Sequence, residues 1–206
     1  MNQTQREDRL DFTKEEDLYF LRAITAQARR DFDPGTPIYI TWGIICFIGY
    51  TGTHILVAQK QYIWINWMWW ILSGIGITLS VFFGYRLVKQ QRKKGFISHI
   101  DRQINWIWGI FIANGILWTM LGYFSDWFGG PGFFWALIYA FALSGTGIVY
   151  AREWLWGGFA IMFAMILAHF IHSCPYIIIG VSMAVGCILP SIISRKRLKE
   201  LEKEIV

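Results

Sequence analysis

Six apolar stretches separated by short polar breaks run from Ile38 to Ser194. Each approaches the ~20 residues a helix needs to cross a ~30 Å hydrocarbon core. The pattern predicts transmembrane helices at about 38–58, 63–86, 103–124, 133–151, 155–173 and 175–194. The break at 59–62 is short enough to force a tight antiparallel hairpin. Gly129-Gly130-Pro131-Gly132 is a strong breaker before the fourth span, Arg152 to Trp154 reads as a three-residue turn, and Pro175 opens the sixth span. Ahead of the spans, Thr13 and Glu16 form a capping box. Leu18, Phe20, Leu21, Ile24, Ala28 and Phe32 recur at helical spacing opposite Asp17, Gln27, Arg29 and Arg30. This predicts a cytoplasmic amphipathic helix that ends at Asp33-Pro34-Gly35-Thr36-Pro37. After Ser194 the last helix is expected to continue as a cytoplasmic tail with an apolar seam at Leu198, Leu201 and Ile205.

The fold class is therefore an all-α membrane protein of six transmembrane helices. Residues 1–37 hold a disordered start and the amphipathic helix, 38–194 the six-helix domain, and 195–206 the helical tail. A repeat is visible within the spans. Trp42-Gly43-Ile44, Trp108-Gly109-Ile110 and Trp156-Gly157-Gly158 open the odd spans, and Ser-Gly-x-Gly-Ile recurs at Ser73 to Ile77 and Ser144 to Ile148. These motifs suggest three tandem antiparallel helical hairpins.

Charge adds a direction. Among the 19 Lys and Arg, the leading segment 1–37 carries six, the connections in turn one, six, none, one and none, and the tail five. Placing alternate segments on one side collects 18 of the 19 there, which predicts both termini in the cytoplasm. At 206 residues, 55% hydrophobic and 16% charged, the chain has no room for a separate soluble domain. The basic pI belongs to juxtamembrane segments facing lipid, so nucleic acid is not expected as a partner. The polar start Met1 to Lys14 lacks the apolar core of a cleavable signal. Cys46, Cys174 and Cys187 read as packing residues rather than a disulfide framework.

Candidate chemistry is sparse. No Asp, Glu, Lys or Arg lies deep within a span, which argues against an ion-driven pump. Most of the twelve tryptophans fit an aromatic belt. Trp67, Trp69 and Trp70 cover more than one helix face, so at least one is expected to point inward. Trp67, Trp70, Asn66, Asn114 and Trp118 are the candidates for a ligand pocket. His54, His169, His172 and Asp126 all fall at the outer level, where they would suit Zn²⁺ or another divalent ion if they converge. Arg92, Lys93 and Lys94, with Leu198, Leu201 and Ile205, are candidates for docking a cytoplasmic partner.

The segment from Leu18 to Tyr50, with Ala28-Arg29-Arg30, Asp33-Pro34, Trp42-Gly43-Ile44 and Gly49-Tyr50, resembles the start of a group of uncharacterised bacterial six-span proteins. The resemblance implies a bacterial inner-membrane location and no established activity. Three readings of function remain open. The first is non-enzymatic binding or transport of a small apolar or uncharged molecule, or a regulatory membrane subunit, with a homo-oligomer or partner subunit expected for so small a chain. The second is an outer-face metalloprotein or metal-dependent hydrolase. The third is a membrane module that docks a cytoplasmic partner.

Overall fold

The structure is a computed structural model and describes residues 36–93, 99–124 and 131–203. Those residues form six helices and no strand: α1 (Thr36–Ala58), α2 (Tyr62–Lys93), α3 (His99–Phe124), α4 (Pro131–Val149), α5 (Arg152–Phe170) and α6 (Pro175–Lys203). The amphipathic helix expected before Pro34, Asp126 in the outer turn, Lys94 and Ile205 lie outside the described residues.

The helices run further into the polar breaks than hydropathy alone predicts. α2 continues to Lys93, because Arg86 to Lys93 contains good helix formers and Gly95 is the first breaker. Arg92 and Lys93 are thus helical rather than part of a loop. The expected turn from Arg152 to Trp154 is instead the first turn of α5, where Glu153 complements the helix dipole. α5 ends at Phe170, and Ile171 closes it by donating its backbone N–H to the Leu167 carbonyl at 2.8 Å.

Five of the six helices, α1, α2, α4, α5 and α6, are long and apolar enough to cross a membrane. The sixth, α3, has the length, 26 residues. Its apolar run is diluted by Gln103, Asn105 and Asn114 and by three tryptophans of middling hydropathy.

Close packing follows the order α2–α1–α6–α5–α4–α3. Gly43 lies against Ile188 and Cys187, while Gly180 lies against Phe47 and Tyr50, so α1 and α6 are antiparallel. Gly157 meets Gly186 and Pro190, and Gly186 meets Ile161, which sets α5 against α6. Gly147 meets the Leu155 backbone, and Gly158 meets Ser144 and the Ala140 carbonyl, which sets α4 against α5. Backbones approach this closely only where side chains are small, the usual device for packing helices without a hydrophobic driving force. Every closely packed pair is antiparallel, so α1, α3 and α5 run one way and α2, α4 and α6 the other. The core lies where α1, α4, α5 and α6 meet, among Tyr50, Leu143, Trp154, Ile161, Ile179 and Met183. By contrast, only 6% of the apolar window of α2 is buried, against 50% in α6.

The repeat exists, but in a register other than the one the Ser-Gly-x-Gly-Ile motifs suggest. Trp42 donates its indole N–H to Ser80 Oγ at 2.9 Å, and Trp108 donates to Thr146 Oγ1 at 3.2 Å. Trp69 donates to Thr53 Oγ1 at 3.0 Å, and Trp135 donates to Thr119 Oγ1 at 3.1 Å. Both contacts in the first hairpin recur in the second 66 residues later, since 108 − 42, 146 − 80, 119 − 53 and 135 − 69 all equal 66. Gly49 and Gly115 recur too, each beneath the indole of its hairpin, at 2.6 Å from an added Cβ to the Trp69 or Trp135 ring. The Ser-Gly-x-Gly-Ile motifs are 71 residues apart and so are not structural counterparts. The third hairpin, α5–α6, does not share the pattern: Trp156 is 69% exposed and packs on Phe159.

Candidate functional site

The two clasped hairpins meet through aromatic rings rather than close backbone contact. Tyr39 of α1 packs edge-on to Trp108 of α3 at 5.4 Å and tilts over Trp154 of α5 at 4.3 Å between centroids. Tyr139 of α4 packs on Trp108 at 5.4 Å and on Trp42 of α1 at 6.2 Å. These rings form a continuous aromatic interior spanning α1, α3, α4 and α5. At the other end of the bundle, the Tyr50 hydroxyl donates to the Gly132 carbonyl and its ring meets Trp69 edge-on at 5.3 Å.

Local hydrogen bonding fixes the ring orientations. Thr53, Thr119 and Thr146 each donate a hydroxyl hydrogen to the carbonyl four residues back in their own helix, at 2.8, 2.7 and 2.8 Å. That bond aims a free lone pair outward, and the indole N–H of the neighbouring helix takes it.

Several buried polar atoms have no such partner. The Trp154 side chain is 0% exposed, yet its indole Nε1 finds no acceptor. Ser144 Oγ, at the α4–α5 contact, and Thr51 Oγ1 are also unpartnered. A buried donor left unmade costs about 1–3 kcal/mol. Beside Trp154, Glu153 is nearly buried and lies 3.2 Å from Arg197 Nη1 on α6. The charges attract at that distance, although Glu153 Oε1 has no aligned hydrogen-bond donor. Ser194 Oγ approaches Tyr150 Oη at 3.4 Å within the same end of the bundle. That end therefore combines an aromatic wall, an ion pair and an indole N–H lacking an acceptor.

The candidates chosen from sequence fall elsewhere. Trp67 and Trp70 are 60% and 69% exposed. It is Trp69 that points inward, held by Thr53 and Tyr50. Asn66 is exposed on α2, and Asn114 is exposed on α3, where it donates to its own helix at Ile110 O, 3.0 Å away. Trp118 stands on the outside of α3 with its ring on Phe134. α2 and α3, which carry these five residues, are not a closely packed pair among the described residues. The residues that do converge, Tyr39, Trp108, Tyr139 and Trp154, were hidden among belt tryptophans. Only Trp108 among them carried a signal, the Trp-Gly-Ile motif it shares with Trp42, which marks the inward Trp of the first two hairpins.

His169 and His172 do come together, with ring centroids 6.4 Å apart. His172 Nδ1 lies 3.2 Å from Phe170 O, and the His169 ring packs edge-on to Phe170. His54 does not join them: among the described residues, no three His, Cys, Asp or Glu side chains are grouped to hold a metal ion. His172 stands in the turn after α5 ends at Phe170, not on the helical face of His169 as the spacing predicts, and His54 sits on α1, whose close neighbours are α2 and α6. Of the docking candidates, Leu198 and Leu201 lie on the helical extension of α6.

No protein-family model matches the chain, and no curated protein or solved structure matches it either.

Proposed function

We propose that this is a six-span inner-membrane protein of bacterial type, with both termini cytoplasmic, that binds or passes a small uncharged molecule through its aromatic interior. The observation that carries the reading is Trp154: a fully buried indole N–H with no acceptor, its ring tilted against Tyr39. A neutral ligand with a carbonyl or hydroxyl oxygen would supply the missing acceptor, and its apolar body would take the place of ring-on-ring contacts. A charged ligand is disfavoured, because Tyr39, Trp42, Trp108, Tyr139 and Trp154 bring no countercharge. Glu153 and Arg197 stand at the cytoplasmic mouth and would govern entry. α3 is read as a sixth span because it is the 66-residue counterpart of α1 and makes the same two clasps.

The test is a titration of detergent-solubilised protein with neutral aromatic alcohols and ketones, followed by tryptophan fluorescence. Saturable quenching is expected in the wild type and is lost in Trp154→Phe, which keeps the aromatic wall and removes the donor. Quenching of equal affinity in both proteins would place binding elsewhere.

The docking reading keeps one supporting observation. The Glu153–Arg197 pair pins α6 where it leaves the bundle, so residues 198–203 project as a continuation of a fixed helix.

A further inference from the structure

The 66-residue repeat makes two hairpins that are alike inside but differently covered outside. On α1, the face carrying Gly43, Cys46 and Tyr50 is buried against α6. Its counterpart on α3, the face of Gly109, Ile112 and Ile116, is exposed. On α4, the face carrying Ala140, Leu143 and Gly147 is buried against α5. Its counterpart on α2, the face of Gly74, Ile77 and Val81, is exposed. The α5–α6 hairpin thus covers one helix of each repeat, and the matching helix of each repeat is left bare.

Lipid can cover an apolar face, but lipid gives no reason for glycine. An added Cβ at Gly43 would come within 3.0 Å of Ile188, so helix approach accounts for that glycine. An added Cβ at Gly109 or Gly74 would meet no atom within 4 Å. Among the described residues, these glycines have nothing to accommodate.

We propose that a second copy of this chain covers both bare faces, with α2 of each copy packed on α3 of the other about a two-fold axis along the membrane normal. Three observations select this occupant. Every closely packed pair in the fold is antiparallel, so the α2 face calls for a helix running like α3, and the α3 face for one running like α2. A second copy in the same membrane supplies both at once, as an isologous interface requires. The depths also match. The clasps set Trp42 level with Ser80 and Trp108 level with Thr146. The α1–α6–α5–α4 contacts hold the two hairpins at a common depth. Val81 of one copy then stands within about half a turn of Gly109 of the other, and Ile116 of Gly74. Exposed side chains, 67% and 49% accessible, face open glycines. Ile77 and Ile112 meet at the centre.

The experiment uses the full chain in native membranes, in a Cys174→Ser background because Cys46 and Cys187 are buried and Cys174 is not. Differently tagged Ile77→Cys and Ile112→Cys copies are co-expressed and mildly oxidised. A mixed cross-linked species at twice the 24.0 kDa chain mass is expected, with several-fold less from either variant alone. Gly74→Leu with Gly109→Leu should abolish it while leaving the thermal unfolding of the single chain unchanged, since both added side chains enter open space. A single-chain mass for the wild type in lipid nanodiscs, a cross-link that survives the two leucines, or a helix of another protein found on these faces would each overturn the proposal. The outcome is independent of the ligand reading, which concerns the interior rings Tyr39, Trp108, Tyr139 and Trp154 and not the outer faces of α2 and α3.

Discussion

Four indole–hydroxyl bonds clasp the two hairpins internally, and the three made to threonine can be removed with little change of side-chain shape. Thr53→Val keeps the shape of Thr53 and deletes the oxygen that Trp69 uses. In a membrane interior such a bond is worth about 0.6 kcal/mol on average, with about 1.7 as an upper value. Thr53→Val should lower stability by that order, and Thr119→Val by a similar amount, because Trp135 repeats the contact at 3.1 Å. Combining Thr53→Val with Trp69→Phe should cost less than the sum of the single changes, since both remove the same bond. Unfolding in mixed micelles, run as a double-mutant cycle, measures this. Strict additivity would mean the 3.0 Å contact carries no coupling.

At the level of helices, glycine decides which surfaces close. An added side chain at Gly158 would collide with Ser144 Oγ and the Ala140 carbonyl, whereas at Gly84 of α2 it meets nothing. Gly158→Val should therefore separate α4 from α5 and cost at least the ~1–3 kcal/mol typical of overpacking. Gly84→Val should stay within about 0.5 kcal/mol, as surface changes do. Thermal denaturation of the two variants side by side checks the contrast, and equal losses would contradict it. Helix existence was legible in the sequence, because six apolar runs with Gly and Pro breaks leave little choice. Helix ends were not, because Arg86 to Lys93 and Arg152-Glu153 are polar and helix-forming at once. The repeat was legible at Trp42-Gly43 and Trp108-Gly109. Its register was misread from Ser73 to Ile77 and Ser144 to Ile148, since hydropathy cannot tell a matching small residue from a coincident one. Which tryptophan of the 67, 69, 70 group faces inward depends on a partner, Thr53, that lies on another helix. His54 does not group with His169 and His172 for a similar reason: a common expected depth says nothing of which helices are neighbours, and Asp126, the fourth member expected, lies outside the described residues.

For the molecule as a whole, orientation rests on charge and on the antiparallel order of the helices. The basic residues predict that the α5–α6 turn faces outward, and the fold places the last turn of α2, the first turn of α3 and the α4–α5 connection at the opposite end from it. The native cysteines allow this to be tested with little alteration. Cys46 and Cys187 are buried in the core, while Cys174 is partly accessible in the α5–α6 turn, with Ser173 Oγ 3.8 Å from its sulfur. A membrane-impermeant maleimide added to intact cells should label the wild type at Cys174 alone. His99→Cys, at the start of α3, should become an additional site only after permeabilisation, when combined with Cys174→Ser to remove the background. The two sites lie at opposite ends of antiparallel helices, so their accessibilities must exchange together if the orientation is inverted. Labelling of His99→Cys from outside, with Cys174 protected until permeabilisation, would reverse the topology. It would also move the Glu153–Arg197 mouth from the cytoplasm to the exterior. Labelling of both from outside would mean that α3 does not cross, and the weaker hydropathy of that helix would then outweigh its equivalence to α1.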